Sequence, residues 1–423
     1  MKRIFKNVRC WAAVVILTTA LPAVTVTELC EQALKNNSEL RFYEAEVAVM
    51  KGERTQAGLW KNPEVSAQYG ERRIKNREGA LQNQGFTREI SITQTFEFPG
   101  KGSLRKAIAN QNIEIAELGL EQFKRVLQGR VKSLAIEYGV NSANAESADE
   151  IAERSGGLIK LLHERPYAGT PQLLELRAIE GSLIELKKSA KEFIQARDEA
   201  SANLHLLLGL PSNQPLKIEV PLEAPHLPLS DSTSLILTAL SHNTSLLIRT
   251  RELEKAVKEV TSARWEVAPD FKVGPFFSQD RAGDVEQNFG ATLSVTLPLW
   301  DWNQGNIASA QARRTQADSL LLEARRQVEG EVLRRKRSYD LHQKLLQEIS
   351  SSSIQQLRDA SDLADRQYRT GGIGIQLFLE MQRQYLSSMK IQGETLSEVW
   401  KNWLDLDLLT GGELSASSSK ETK

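Results

Sequence analysis

The chain contains two copies of one unit. The segment ALKNNSEL at 33–40 returns as ALSHNTSL at 239–246. Two later segments return in the same order: FEFPGKGSLRKA (96–107) as LPLWDWNQGNIASA (297–310), and LLLGLP (206–211) as LDLLTGG (406–412). The offset of roughly two hundred residues is far longer than the ~20–50 residues of a solenoid repeat. The repeated unit is therefore half of one structure, and we predict structural repeats over 24–210 and 231–412.

The first residues predict export from the cytoplasm. Four basic side chains among the first nine residues precede an apolar run from Trp11 to Leu21, followed by small residues. This is the layout of a secretory signal peptide, which we assign to 1–23. The apolar run is shorter than the ~18 residues that a spanning helix needs. Cys10 leaves with the signal, so Cys30 has no partner for an internal disulfide and is interpreted as an ordinary helix residue.

Composition and motifs exclude several functional classes. The chain has 54 basic and 54 acidic residues, so it lacks the concentrated positive charge of a nucleic-acid-binding protein. It contains no phosphate-binding glycine loop, nucleophile elbow or HExxH motif, and we predict no catalytic residues and no cofactor. Histidine and methionine are few, and no pair has metal-ligand spacing, so no metal site is predicted.

Each copy contains two segments with a period of two residues. In 63–98 apolar residues alternate with polar ones, and 269–299 repeats the pattern. This predicts one strand hairpin per copy, with a polar face and an apolar face. One interpretation of these segments is that they form two hairpins of a soluble sheet. Strands of about ten residues and long polar loops, at 74–85 and 279–288, favour a membrane. Pro275 cannot donate to a ladder and is predicted to mark an edge or a bulge.

The remaining segments have helical periodicity. We predict a helix over 28–60 and helical hairpins over 101–208 and 303–410. The long arm of the second hairpin, 303–369, is predicted as one helix. At ~1.5 Å per residue such arms approach 100 Å, which requires an elongated bundle or tube.

The two copies are joined by a proline-rich segment. Residues 211–230 contain five prolines, which prevent a helix and predict an extended linker packed along the tube. The polar tail, 413–423, is predicted to be disordered.

Four strands cannot close a barrel. In lipid every backbone donor and acceptor must be paired, so several chains would have to combine their strands. Two chains would give eight strands and a barrel filled by side chains, whereas three would give twelve and an aqueous lumen. The polar strand faces suit such a lumen. The residues predicted to face it are Ser91, Thr93, Thr95, Thr292, Ser294 and Thr296.

The turns between strands and helices have a recognisable chemistry. Pro99, Gly100 and Lys101 form one predicted strand-to-helix elbow, and Pro298 and Trp300 belong to the other. Proline ends a strand and glycine permits a sharp turn. Trp300 suits either a membrane interface or a wedge against neighbouring strands.

The order of these elements, present twice behind a signal peptide, resembles the TolC-like outer-membrane efflux proteins over about 28–412. The resemblance is carried most specifically by QTFEFPGKGSLRKA (94–107), VTLPLWDWNQGNIASAQA (295–312), AGTPQLLELRA (168–178) and YRTGGIGIQLFLEMQRQ (368–384). It implies a mainly α protein whose homotrimer has a twelve-stranded barrel in the outer membrane and a periplasmic α-helical barrel. It also implies the function of an exit duct in a tripartite pump, with a periplasmic adaptor and a proton-driven inner-membrane transporter as partners, in contact with outer-membrane lipid.

The first of these phrases is most similar to the outer-membrane subunits of heavy-metal exporters, which implies heavy-metal cations as cargo. Drug efflux and type I secretion are alternatives, and a periplasmic coiled-coil adaptor is the structural rival.

The resemblance also gives the hairpin tips a role. Glycines stand where each helical hairpin must reverse, and in the family these tips dock the adaptor and narrow into a gate. Many relatives have an acidic residue in the second tip just before its leucine; this chain has Leu377 near that place, with Glu380 close by, so no acidic gate ring is inferred. The residues implied in docking, gating or tip packing are Tyr167, Gly169, Leu173, Leu174, Tyr368, Gly371, Gly372, Leu377, Leu379 and Glu380.

Overall fold

A computed structural model of the chain describes residues 24–164, 169–211, 216–228, 231–349 and 351–415. The predicted signal peptide, part of the predicted linker and most of the predicted tail lie outside these ranges. None of the described helices is long and apolar enough to cross a membrane.

Both halves consist of two short helices, a strand hairpin and long helices. In chain order the first half contains β1 (Val24–Thr25), α1 (Val26–Asn36), α2 (Ser38–Ala57), β2 (Glu64–Lys75), β3 (Leu81–Phe96), α3 (Lys101–Glu164) and α4 (Thr170–Leu208). The linker contributes β4 (Ile218–Glu219). The second half contains α5 (Ser232–His242), α6 (Thr244–Trp265), β5 (Phe271–Ala282), β6 (Asp284–Val295), α7 (Gln304–Glu348), α8 (Ser351–Arg369) and α9 (Ile375–Leu409).

The helix predicted over 28–60 is interrupted at Asn37, where the backbone is extended. The Asn37 side chain accepts hydrogen bonds from the backbone N–H of Glu39 (2.9 Å) and Leu40 (3.2 Å), and so caps α2. Its Nδ2 donates to the carbonyl of Leu207 at the end of α4 (3.0 Å). One side chain thus starts one helix and ties it to the end of another.

The second half repeats this corner. Asn243 caps α6 by accepting from the Leu246 N–H (3.1 Å), and its Nδ2 donates to the carbonyl of Leu409 (2.9 Å). Gly209 and Gly411 follow the two bonded carbonyls with left-handed φ values of 64° and 72°. The duplicated segments ALKNNSEL and LLLGLP, and their counterparts, are therefore the two sides of one corner.

The four long strands form one antiparallel sheet in the order β2-β3-β5-β6. The predicted loops at 74–85 and 279–288 are wrong, because the strands continue through most of both segments. Only 76–80 separates β2 from β3, and Gly283 alone separates β5 from β6. Cross-strand polar pairs hold these outer strand ends together; Arg72 of β2, for example, pairs with Asp280 of β5 and Glu286 of β6.

The prediction that Pro275 marks an edge or a bulge is also wrong. Pro275 lies in β5, an inner strand, opposite Ala291 of β6. The pairing between β5 and β3 is interrupted beside Pro275. It stops after Phe276 opposite Ser91 and resumes in the same register at Val273 opposite Gln94. The donor that proline lacks falls within this gap, which explains why an inner strand tolerates it.

The long helices form two antiparallel hairpins packed side by side. The 64 residues of α3 span about 96 Å at ~1.5 Å per residue. The predicted continuous helix over 303–369 is wrong, since α7 ends at Glu348 and Ile349 leaves helical geometry (φ −86°, ψ 62°) before α8. Buried apolar clusters recur along the helices instead of forming one central core.

The linker is bound by side chains that correspond in the two halves. The hydroxyl of Tyr138 donates to the Leu216 carbonyl (3.1 Å), and that of Tyr339 donates to the Pro225 carbonyl (2.7 Å). Burial, followed by the charge of Asp340, raises the pKa of Tyr339 to about 12. β4 of the linker also pairs in parallel with β1. The linker is therefore a strap across the helices.

Candidate functional site

The sheet has two chemically different faces. Directly opposed residues of antiparallel strands lie on the same side, so the register assigns each residue to a face. The apolar face contains Val65, Ala67, Tyr69, Ile90, Ile92, Phe96, Phe271, Val273, Phe277, Phe289, Leu293 and Val295. The polar face contains Glu64, Ser66, Ser91, Thr93, Thr95, Lys272, Thr292 and Ser294. Most of the apolar side chains are exposed, including Tyr69 (80 %) and Phe289 (82 %).

Five of the six residues predicted to line a lumen lie on the polar face. Thr296 follows the last residue of β6 and stands outside the ladder. The hydroxyls of Ser66 and Ser91 are 2.7 Å apart, and Lys272 forms an ion pair with Glu64 (3.1 Å). Sequence reasoning missed Phe276, whose ring lies on this face against Gly290; a Cβ there would come within 2.7 Å of the ring.

The sheet has two unpaired edges. β3 and β5 pair with strands on both sides, whereas β2 and β6 each pair on one side only within the described part of the chain. Unpaired edges carry rows of free N–H and C=O groups that can pair with further strands. The sheet is therefore a segment that other strands can extend at both ends.

A cluster of charged groups joins the two halves below the sheet. Lys101 of the first elbow is 5 % exposed, and its Nζ lies 2.9 Å from Asp270, just before β5. Asp270 also accepts from the Phe98 N–H (3.2 Å) and pairs with Lys61 (3.5 Å). Burial raises the pKa of Asp270, but the bonds from Lys101 and Phe98 and the charge of Lys61 outweigh burial and lower the pKa overall. The buried Lys101 of the first copy thus forms an ion pair with Asp270 of the second copy.

The elbow glycine is explained by packing. Gly100 has φ 107°, and a Cβ there would come within 2.9 Å of the Trp265 ring. Pro99 precedes it at the end of the first strand hairpin.

The second elbow is more exposed. Trp300 is 87 % exposed, and Pro298 and Trp300 line an open cavity of about 920 Å³ beside the charged cluster. Asn303 makes the turn into α7 with a left-handed φ of 57°, and its Nδ2 donates to the Ala263 carbonyl (2.7 Å). Asparagine tolerates this conformation better than most residues.

The predicted tip residues divide into two groups. Tyr368 is buried, stacks on Phe378 with ring centroids 5.1 Å apart, and donates to Glu175 (3.4 Å). Leu379 packs on the same cluster. Leu173, Leu174 and Leu377 are exposed, so they are the apolar tip side chains available to a partner.

The other tip residues shape the turns. Gly169 and Gly371 have φ values of 99° and 78°, and the Gly372 N–H donates to the Gln367 carbonyl (2.8 Å). Glu380 lies 3.6 Å from Arg383. Tyr167 lies outside the described residues.

Two ion pairs, unforeseen from the sequence, join α3 to α8 near the tips. Arg154 pairs with Asp362, and Arg358 pairs with Glu150 at 3.1 Å. They tie the helical hairpin of one copy to that of the other.

Comparison with known proteins identifies this architecture. Residues 235–412 match the model of the family described as outer membrane efflux protein. Among solved structures, the chain is similar to CusC (18 % identity, 92 % of each chain covered, TM-score 0.71). It is also similar to the outer membrane protein VceC from Vibrio cholerae (19 % identity, 92 % of this chain and 96 % of that chain, TM-score 0.68).

A third similar structure is the open state of the MtrE outer membrane channel from Neisseria gonorrhoeae (16 % identity, 92 % and 89 % covered, TM-score 0.73). No curated protein matches the chain. The resemblance predicted from the sequence is confirmed: residues 235–412 match the outer membrane efflux protein family, and the chain as a whole has the fold of the TolC-like outer-membrane channels.

Proposed function

We propose that this protein is the outer-membrane exit duct of a tripartite efflux system. Proteins of the family generally form homotrimers and work with a periplasmic adaptor and an inner-membrane pump. The observation that supports the role most directly is the open sheet, with one apolar face, one polar face and two unpaired edges. Three copies would supply twelve strands, pair all edges, and turn the apolar faces to lipid and the polar faces to water.

The helical hairpins would continue the duct into the periplasm. Their exposed tip leucines, Leu173, Leu174 and Leu377, are the proposed contacts of the adaptor. A passive duct needs no catalytic group, and we propose that the protein is not an enzyme. The rival, a periplasmic adaptor, has one helical hairpin and soluble β domains, whereas this chain has two hairpins and a two-faced sheet.

Cysteine labelling of the assembled protein in cells tests the barrel. Cysteines at Ser91 and Ser294 should react with a membrane-impermeant thiol reagent, while cysteines at their neighbours Ile92 and Val295 should not. Cys30 is buried, and a Cys30→Ser background removes its signal. Equal labelling of both faces, or recovery of a soluble periplasmic monomer on fractionation, would contradict the duct.

The cargo is a separate proposal. The sequence QTFEFPGKGSLRKA supports heavy-metal cations, with drug efflux and type I secretion as the alternatives. Deletion of the protein should lower resistance to metal salts in a panel that also contains drugs and detergents. Loss of resistance to drugs alone would replace the metal assignment.

A further inference from the structure

The apolar face of the sheet changes character towards the hairpin turns. Apart from Gln94, which stands opposite Val273, its rows are apolar as far as the one that joins Ala67, Ile90, Phe277 and Phe289. In the next row Arg88 stands opposite Tyr69 and Gln279, and in the row after that Arg281 stands opposite Phe86. Arg73 and Lys75 follow on β2. We call Arg73, Lys75, Arg88 and Arg281 the basic rim.

The basic rim is short of acidic partners. Its acidic neighbour on this face, Glu71, is already bound by Arg73 through two hydrogen bonds of 2.7 Å and by Gln84. Arg88 lies 5.9 Å over the Phe86 ring, and neither Arg88 nor Arg281 has a carboxylate partner among the described residues. On the polar face at the same height, Arg72 is paired with both Asp280 and Glu286. Arg72 on the polar face is therefore compensated, whereas Arg88 and Arg281 on the other face have no acidic partner among the described residues.

The two central arginines are positioned to act together. Arg88 is on β3 and Arg281 on β5, one row apart, which makes them diagonal neighbours with backbones about 7–8 Å from each other. Both strands are internal, so strands added at the edges of the sheet would lie beyond β2 and β6. The guanidinium groups are long enough to reach one shared anion, and their planar donors fit phosphate oxygens.

The height of the rim matches that of lipid headgroups. From Phe96 to Arg88 the strand rises about 27 Å at ~3.4 Å per residue, or about 20 Å of height at a tilt of ~40°. Below Phe96 the exposed Trp60 and Trp300 provide the aromatic side chains that favour the opposite interface. The apolar band between these limits approaches the ~25 Å of barrel proteins, so the rim begins where hydrocarbon ends.

We propose that the basic rim binds the phosphate groups of anionic lipid in the outer leaflet, with Arg88 and Arg281 as the central pair. The inference rests on the proposed insertion of the sheet in a membrane. It assigns a lipid class to the protein and gives the outer strand ends, which extend beyond the apolar band, a binding role.

Lipid retention by the purified full-length protein tests the proposal. The protein is reconstituted into vesicles of phosphatidylcholine with or without phosphatidylglycerol and extracted in mild detergent. Native mass spectrometry then measures the lipid that remains bound. Wild type should retain phosphatidylglycerol, and the R88Q/R281Q variant should retain it about 30-fold less, since each arginine near an anionic surface is worth ~1 kcal/mol and the variant removes two. R88K/R281K should be intermediate because it keeps the charge and loses the bidentate geometry.

The control is R72Q, which removes a cation at the same height on the polar face and should leave retention unchanged. Equal retention by wild type and R88Q/R281Q, or an equal loss in R72Q, would overturn the inference. Release of the lipid by millimolar inorganic phosphate would also overturn it, because the site would then be one for a free anion. Insertion of the wild-type protein into the vesicles is measured first. Failure to insert into either kind of vesicle would contradict the proposed function as an outer-membrane duct, and not only the lipid site.

Discussion

Replacement of Asn37 by alanine should destabilise the contact between the start of α2 and the end of α4. The substitution removes the cap on the N–H groups of Glu39 and Leu40, which is worth about 1 kcal/mol. It also leaves the Leu207 carbonyl without its side-chain donor, at a cost of about 1–3 kcal/mol for a buried group. We therefore expect Asn37→Ala to lower the free energy of unfolding by about 2–4 kcal/mol.

Asn37→Ser separates the two contributions. The serine hydroxyl can still cap α2 but is too short to replace the donation to Leu207, so this variant should lose about 1–3 kcal/mol. Asn36→Ala is the matched control, because Asn36 is the preceding asparagine, is exposed, and should change stability by less than about 0.5 kcal/mol.

Guanidinium denaturation of the purified protein, monitored by circular dichroism, gives the unfolding midpoint of each variant. At an unchanged m-value, a shift of the midpoint reports the change in the free energy of unfolding. A midpoint for Asn37→Ala equal to that of Asn36→Ala would refute the reasoning. Asn243→Ala in the second half should behave like Asn37→Ala. Because the two corners lie in different halves and share no partners, the double variant should be additive.

The remaining predictions concern the linker contact of Tyr339, the Lys101–Asp270 ion pair and the corner glycines. Tyr339 has a pKa raised to about 12, so its stabilising contribution is complete below about pH 10 and is lost as the pH rises towards 12; Tyr339→Phe should flatten this alkaline loss in pH-dependent unfolding. Lys101→Met should cost about 2–3 kcal/mol in denaturant unfolding, and Asp270→Asn should restore part of it, whereas no recovery would argue against the ion pair. The lowered pKa of Asp270 means that its contribution is present above about pH 4 and is lost at more acid pH, a loss that Asp270→Asn should abolish. Gly209→Ala should cost about 1–2 kcal/mol because its φ of 64° disfavours a Cβ, and Gly411→Ala should cost more, because its φ is 72° and a Cβ would also clash with the His242 carbonyl; unchanged midpoints would contradict this.

Local patterns in the sequence were sufficient for much of this architecture. The period of two identified four strands and their faces, and the register leaves five of the six predicted lumen residues on the polar side. Helical periodicity and glycine turns identified the two long hairpins. These features depend on neighbours a few residues apart, which is the range over which a sequence pattern carries information.

The errors arose where distant residues override a local signal. Polar residues at 74–85 and 279–288 look like loops, but the strand ladder continues through most of both segments, and Arg72 pairs with Asp280 and Glu286 of the second. Pro275 looks like an edge residue, but a gap in the partner ladder accommodates it. A break at Asn37 cannot be recognised from α1 and α2 alone, because one of its three side-chain hydrogen bonds goes to the distant Leu207.

The sequence by itself determined that the protein consists of two similar halves, each with a strand hairpin and a helical hairpin. Only the tertiary structure decided how the halves are joined, through Lys101 with Asp270, Arg154 with Asp362, and the strap held by Tyr339. It also decided which tip leucines are exposed and that Arg88 and Arg281 have no acidic partner among the described residues. Such contacts join residues more than a hundred positions apart, and no periodicity within one segment specifies the partner that folding brings to it.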